Sequence, residues 1–430
     1  VVADQLLRHR AKDRLMLVNL AYSAVSSGTA ALLLILMIVA GRILGEVEFG
    51  KFAFALLLGG IFETTMDFGL HQVTIRAVAR DRAQAPALLQ HTLAIKLVWA
   101  FGTLAALAAT AAILRPEPDV RLACYLIGGS LVFRSYMLTI RGVLQGLEHF
   151  GWDSIVVVAD RGLLLGLGVV ALLEGGGLRG LAMAFVVARG AALAVAIVIT
   201  QMRLGGVGFR YDRDVWRELH LTALPLGFFL VVLNLYSYVD GVMLGVLRTD
   251  AETGLYAAAY KIYEGFTYAP MAISAVLTPR LSALFVSDSR RHRVISRLGV
   301  VSSVTLALIV SGLAYIVATP LLVLLFGSPY AAATPAFRIL CVGLPIVFAI
   351  WILHAIAISV DRERLLARTA VVGLAVNVGL NLVVIPRLGG KGAALATVVG
   401  ELVSAAMLMW GLRSAWTSPA SPRSSTSSSG

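Results

Sequence analysis

Apolar residues run through this chain in long stretches separated by short polar connectors, and the stretches are too long to be strands. A helix needs about 20 apolar residues to cross the hydrocarbon of a bilayer. Runs of that length predict helices over 15–40, 49–70, 90–113, 121–146, 152–173 and 178–202. The region from Pro225 to Leu284 predicts two more, on either side of the connector RTDAETG at 248–254. Others follow over 294–326, 335–359, 365–385 and 391–412. The pattern is that of an all-α integral membrane protein with about twelve transmembrane helices. The run 294–326 is long and holds Pro320, which points to a span followed by a re-entrant or interfacial turn.

Composition agrees with the pattern. Of 430 residues 59% are hydrophobic and 14% charged, where a soluble domain carries about 25% charge. The net charge of +12 raises the possibility of a nucleic-acid partner, but the basic residues sort by membrane side instead. With the N-terminus inside, 22 fall in inside segments, nine in outside segments and five within spans. A bias of that size places both termini in the cytoplasm. Residues 1–14 are polar and basic, without the apolar core of a cleavable signal peptide. Cys124 and Cys341 lie within apolar runs, so no disulfide framework is expected.

Catalytic signatures are missing from the sequence: no HExxH, no GxSxG, no Walker loop and no Cys/His cluster at metal spacing. The outside connectors are at most about ten residues, too short to carry the active site of a membrane glycosyltransferase or polymerase. The expectation is a non-enzyme without cofactor or metal, driven by an ion gradient, the membrane potential or substrate flux.

The chain also repeats itself. EFGKFAFA at 48–55 resembles ETGLYAAA at 252–259, an offset of 204, and RGLAMAFVV at 179–187 resembles KGAALATVV at 391–399, an offset of 212. Six spans separate the copies, an even number, so the two halves insert in the same orientation. The expected layout is an N-terminal segment 1–14, a first lobe 15–202, a linker 203–214, a second lobe 215–412 and a disordered Ser-rich tail 413–430.

GRILGEVEFGKFAFALLLGGIFETTMDFGLHQVTIRAVARD at 41–81 resembles the second-span signature of oligosaccharide flippases of the polysaccharide transporter (Wzx-like) family. RGVLQGLEHF at 141–150, DGVMLGVLRTDAETGLYAAAYKI at 240–262 and NLVVIPRLGGKGAALATVVGE at 381–401 are similar to later motifs of that family. The resemblance implies the multidrug/oligosaccharidyl-lipid/polysaccharide exporter fold, two six-helix lobes around a central cavity lined by spans one, two, seven and eight. It implies a flippase of the bacterial cytoplasmic membrane that moves a polyprenyl-diphosphate-linked oligosaccharide by alternating access. Its partners would be that substrate, membrane lipid and a polysaccharide polymerase with its chain-length regulator. A cation-coupled multidrug exporter of the same fold is the alternative. A lipid II flippase is disfavoured, since two further C-terminal spans expected of that branch are missing.

Polar positions on the implied cavity helices give the candidate site. Asn19, Ser23 and Ser26 share one helical face, Asn234, Ser237 and Tyr238 repeat the idea, and Tyr256, Tyr260, Tyr263 and Thr267 form a stripe. Three arginines, Arg134, Arg161 and Arg189, sit deep in their spans, where a charge costs at least about 2.5 kcal/mol and calls for a partner or a watery cavity. A guanidinium fork suits a phosphate or an acidic sugar. Pairing with Glu63, Asp67, Asp160, Asp240, Glu264 or Glu401 is the competing reading. Asp240, Glu264 and Glu401 are also candidates for ion coupling, although Glu264 stands three residues from Lys261 and can pair with it. Lys96, near a helix end, is expected to snorkel to water.

Overall fold

A computed structural model describes residues 28–417. Asn19, Ser23 and Ser26 therefore lie outside the described residues. Those described form thirteen α-helices and two short 3-10 turns, with no strand among them. In chain order the helices are α1 (Ala30–Asp67), α2 (Leu70–Arg80), α3 (Ala85–Leu114), α4 (Pro118–Gly146), α5 (Phe150–Leu173), α6 (Gly177–Leu204) and α7 (Arg213–Leu247). There follow α8 (Asp250–Ser287), α9 (Ser289–Ile316), α10 (Ala318–Phe326), α11 (Thr334–Ser359), α12 (Glu363–Leu388) and α13 (Gly390–Thr417). Ten of them are long and apolar enough to cross a membrane.

α1 is two helical segments joined at a break. Its 38 residues would measure about 57 Å if straight, nearly twice the hydrocarbon thickness. The helix breaks at Gly45, whose φ of 71° and ψ of 174° fall in a region that only glycine occupies without strain. Beyond the break, Lys51 pairs with Asp119 at the start of α4, while Asp67 reaches Lys96, which also bonds the Ser135 carbonyl far down α4. That segment thus runs parallel to α4. The segment before Gly45 packs Leu36 closely against Gly168 of α5. The run 294–326 divides at Val317 into α9 and the nine-residue α10, with Pro320 in the first turn of α10, where a proline is tolerated.

Polarity is inverted relative to a water-soluble protein. Large apolar side chains face outward, Ile113 at 81% exposure and Phe101 at 69%, whereas Lys96, Arg189, Asp240, Asp160 and Glu401 are buried. Lipid gives no hydrophobic reason for helices to associate, so packing and internal polar bonds must hold them. Lys96 shows the rule. It does not snorkel: its side chain is 0% exposed, 2.6 Å from Asp67 Oδ1 and 2.8 Å from the Ser135 carbonyl oxygen. The carboxylate on the neighbouring crossing outweighed the helix end, because Lys96 faces α1 and α4 and not the lipid.

The described chain divides into two compact units. One runs to Ala258 and also takes in Leu322–Ala332; the other comprises Ala259–Leu321 and the chain from Ala333 onward. In the first unit, Val78, Leu89, Leu93, Met137, Ile140, Val156 and Ile199 form one apolar cluster joining α2 to α6. In the second, Leu281, Ile352, Leu353, Ile356, Leu408 and Leu412 join α8, α11 and α13.

Candidate substrate-binding and coupling sites

The three deep arginines of the sequence converge in the first unit. Arg134 and Ser130 lie one turn apart on α4, Asp160 and Arg161 on α5, Arg189 on α6 and Glu63 on α1. Arg134 pairs with Glu63: Nη1 donates to Oε2 at 3.2 Å, and Nε stands 3.0 Å from Oε1. Both side chains keep some exposure, 27% and 16%. Arg161 stands 3.8 Å from its neighbour Asp160, a loose contact that leaves Asp160 Oδ1 and Arg161 Nη1 without a hydrogen-bond partner. A cavity of about 30 Å³ opens between Arg134, Arg141, Asp160 and Arg161, with room for about one water.

Arg189 differs from the other two. It is 3% exposed, donates from Nη1 to Ser130 Oγ at 2.8 Å and lies over the Phe185 ring at 5.2 Å. Its Nε has no partner, and among the described residues no carboxylate lies within 4 Å. Glu63 and Asp160 balance two of the three guanidinium groups, so this cluster carries one positive charge in excess. A buried fork with a spare donor and no counter-charge is set up to receive an anion.

The polar residues of α7 and α8 are engaged within the protein. Asn234 and Ser237 bond back to the carbonyls of Leu230 and Leu233. Tyr238 packs its ring against Gly60. The Tyr256 hydroxyl donates to Asp240 Oδ2 at 2.5 Å, and Asp240 Oδ1 accepts from the Gly241 amide at 2.7 Å. Asp240 is thus held by hydrogen-bond donors on α7 and α8 and is 3% exposed.

In the second unit the Tyr263 hydroxyl donates to Glu401 Oε1 at 2.5 Å, and Tyr260 packs against the Tyr263 ring at 5.7 Å. Glu264 pairs with Lys261 at 2.6 Å, as their spacing allows, and both remain about one-third exposed. His354, a lone histidine in an apolar run, packs against Trp351. The tyrosine stripe therefore serves two carboxylates: Tyr256 holds Asp240 and Tyr263 holds Glu401. Among the described residues no group of His, Cys, Asp and Glu side chains could hold a metal ion.

Sequence reasoning missed Ser130 as the partner of Arg189, although its position four residues before Arg134 was a usable signal. It also missed Arg115, in the α3–α4 connector, which is 4% exposed and bonds Asp250 at 2.6 Å and Glu117 at 3.0 Å. Burial works to lower its pKa, but the hydrogen bonds to Asp250 and Glu117 outweigh it and hold the guanidinium above its ordinary value.

Apolar outer surface, buried charge and repeated crossings make this a multi-pass membrane protein with the fold of the MOP-superfamily transporters. The chain belongs to the family described as polysaccharide biosynthesis protein, whose profile matches residues 17–285. No curated protein sequence matches it. Among solved structures it resembles an inward-facing multidrug resistance MATE family transporter of the MOP superfamily, at 14% identity and a TM-score of 0.77, covering 90% of this chain and 94% of that one. It also resembles the lipid II flippase MurJ in an inward closed conformation, at 11% identity and a TM-score of 0.73, covering 92% and 87%. A third is a MOP superfamily transporter from Pyrococcus furiosus whose binding pocket has reversed polarity, at 14% identity and a TM-score of 0.61, covering 92% and 94%.

Proposed function

We propose that this protein is a flippase that moves a polyprenyl-diphosphate-linked oligosaccharide, the repeat unit of an O-antigen, capsule or exopolysaccharide, across the bacterial cytoplasmic membrane by alternating access. Both termini are cytoplasmic in this reading, and the substrate moves from the inner to the outer leaflet. The observation that carries it is Arg189, a buried guanidinium with a free Nε and no carboxylate within 4 Å among the described residues. A diphosphate supplies the missing anion, with Arg134 and Arg161 alongside it, and the sugar follows along Asn234, Tyr238 and the polar face of the first span. A polymerase and a chain-length regulator would take up the delivered repeat units.

The alternative, a cation-coupled multidrug exporter, draws on the buried carboxylates Asp240 and Glu401. Ligand-induced stabilisation separates the two, since a ligand that binds only the folded state raises the unfolding midpoint. Polyprenyl diphosphate bearing an oligosaccharide is expected to raise it, and lipophilic cationic drugs are not. The reverse ranking would establish the drug exporter. If Asp240 serves coupling, Asp240→Asn keeps the stabilisation by substrate and loses the response of transport to an imposed ion gradient. A folded Asp240→Asn protein that still responds to the gradient like wild type removes Asp240 from the coupling step.

A further inference from the structure

The internal repeat is realised as an atomic contact. The offset of 204 that aligns 48–55 with 252–259 also pairs Glu46 with Asp250 and Gly50 with Gly254. These four residues meet crosswise. A Cβ placed on Gly50 would stand 1.8 Å from the Asp250 carbonyl oxygen and 2.9 Å from Gly254 N. A Cβ placed on Gly254 would stand 2.0 Å from the Glu46 carbonyl oxygen and 2.9 Å from Gly50 N. Exchanging the two copies of the repeat leaves this set of contacts unchanged, the mark of a two-fold contact between equivalent surfaces.

The distances exclude every residue but glycine at both positions in this arrangement. Small residues let two membrane helices bring their backbones together, where Cα–H groups meet carbonyl oxygens. Such a contact needs no side chain, so it can part and re-form without a rotamer change and without stranding a polar group. Polar clamps surround it at the same end of the first unit. Arg115 donates to Asp250 Oδ1, Glu117 and the Gly245 carbonyl oxygen, lying over the Phe54 ring at 4.9 Å. Lys51 bonds Glu48 and Asp119, each at 2.7 Å.

We propose that Gly50 and Gly254 form a backbone seal that closes the transport path where the two copies of the repeat meet, and that parting this seal is a step of the transport cycle. The inference rests on the alternating-access reading above. Arg115 is then a positioning residue: it holds Asp250 in register so that the seal re-forms.

The test uses the full chain with Cys124→Ala and Cys341→Ala, carrying spin labels at Val47→Cys and Leu247→Cys, both exposed positions flanking the contact. Pulsed electron–electron distances are read in proteoliposomes. Wild type is expected to give a dominant short distance. Gly50→Ala and Gly254→Ala should each shift the ratio of short to long populations by about tenfold or more, since overpacking a tight contact forces its separation. The two together should do little more than either alone, because both break one contact. Gly102→Ala, whose Cβ would meet nothing within 4 Å, should leave the distribution as in wild type. Arg115→Gln adds no volume and should shift it in the same direction, which keeps the test decisive if the alanine variants fold poorly. A wild-type distribution in the folded glycine variants, or in Arg115→Gln when those do not fold, overturns the seal. Flipping by the wild type is assayed in parallel: wild-type flipping with unmoved distances in the folded variants sinks the seal alone, whereas moved distances in the variants with no flipping by the wild type sink the substrate reading alone.

Discussion

Replacing Arg189 with methionine is expected to leave the fold at least as stable as wild type and to stop transport. The guanidinium is buried, and among the described residues its one hydrogen bond is to Ser130, whose own hydroxyl also bonds the Ile127 carbonyl oxygen at 2.6 Å. Exchanging a buried charge for an apolar side chain of similar size is often neutral or stabilising by about 1–4 kcal/mol. A structural arginine gives the opposite result, because its carboxylate partner would be stranded. Here no carboxylate within 4 Å waits to be stranded among the described residues. The loss should fall on the substrate: a charge-assisted hydrogen bond contributes about 1.5–3 kcal/mol, so binding weakens by roughly 10- to 150-fold. Arg189→Lys should recover part of it, since a point charge lacks the fork. Thermal unfolding together with substrate titration checks both halves, and an unfolded Arg189→Met protein would make the residue structural.

Asp67→Asn should have the reverse signature. It leaves Lys96 charged, fully buried and without its carboxylate, a loss of about 3–5 kcal/mol. The double variant Lys96→Met with Asp67→Leu removes both charges and should regain most of that stability. Transport per folded molecule should stay near wild type in the double variant. Denaturation of the purified proteins in detergent, with flipping normalised to folded protein, measures each part. Equal stability of Asp67→Asn and wild type would show that Lys96 finds water or another acceptor.

These two residues also show where sequence reading stops. Lys96 and Arg189 are both single cations in apolar runs, and hydropathy treats them alike. What separates them is a carboxylate on a neighbouring helix, Asp67 for Lys96, 29 residues away in the chain. The long apolar helices are a one-dimensional property, and they were legible. So was the list of carboxylates able to neutralise the deep arginines, from which the fold selected Glu63 for Arg134, 71 residues distant.

Partnership across helices depends on helix rotation, which a run such as 121–146 does not encode when apolar residues surround it on all sides. The tyrosine stripe on α8 was legible as a stripe. Its use was not, since Tyr256 turns to Asp240 on α7 and Tyr263 to Glu401 on α13. The repeat was visible as a weak match of small residues, and only the backbone distances give it a mechanical meaning. Asn19 and Ser23 remain candidates from the sequence, outside the described residues.

Direct flipping is the measurement that bears hardest on the account. Purified protein in proteoliposomes, loaded on one leaflet with a fluorescent polyprenyl-diphosphate oligosaccharide, is followed by an impermeant reagent that reaches only the outer face. The account predicts that wild type makes the protected lipid reactive, that Arg189→Met does not although folded, and that the same lipid with a neutral head in place of the diphosphate is left unmoved. Equal movement of the diphosphate and neutral lipids, or wild-type rates in folded Arg189→Met, would contradict it.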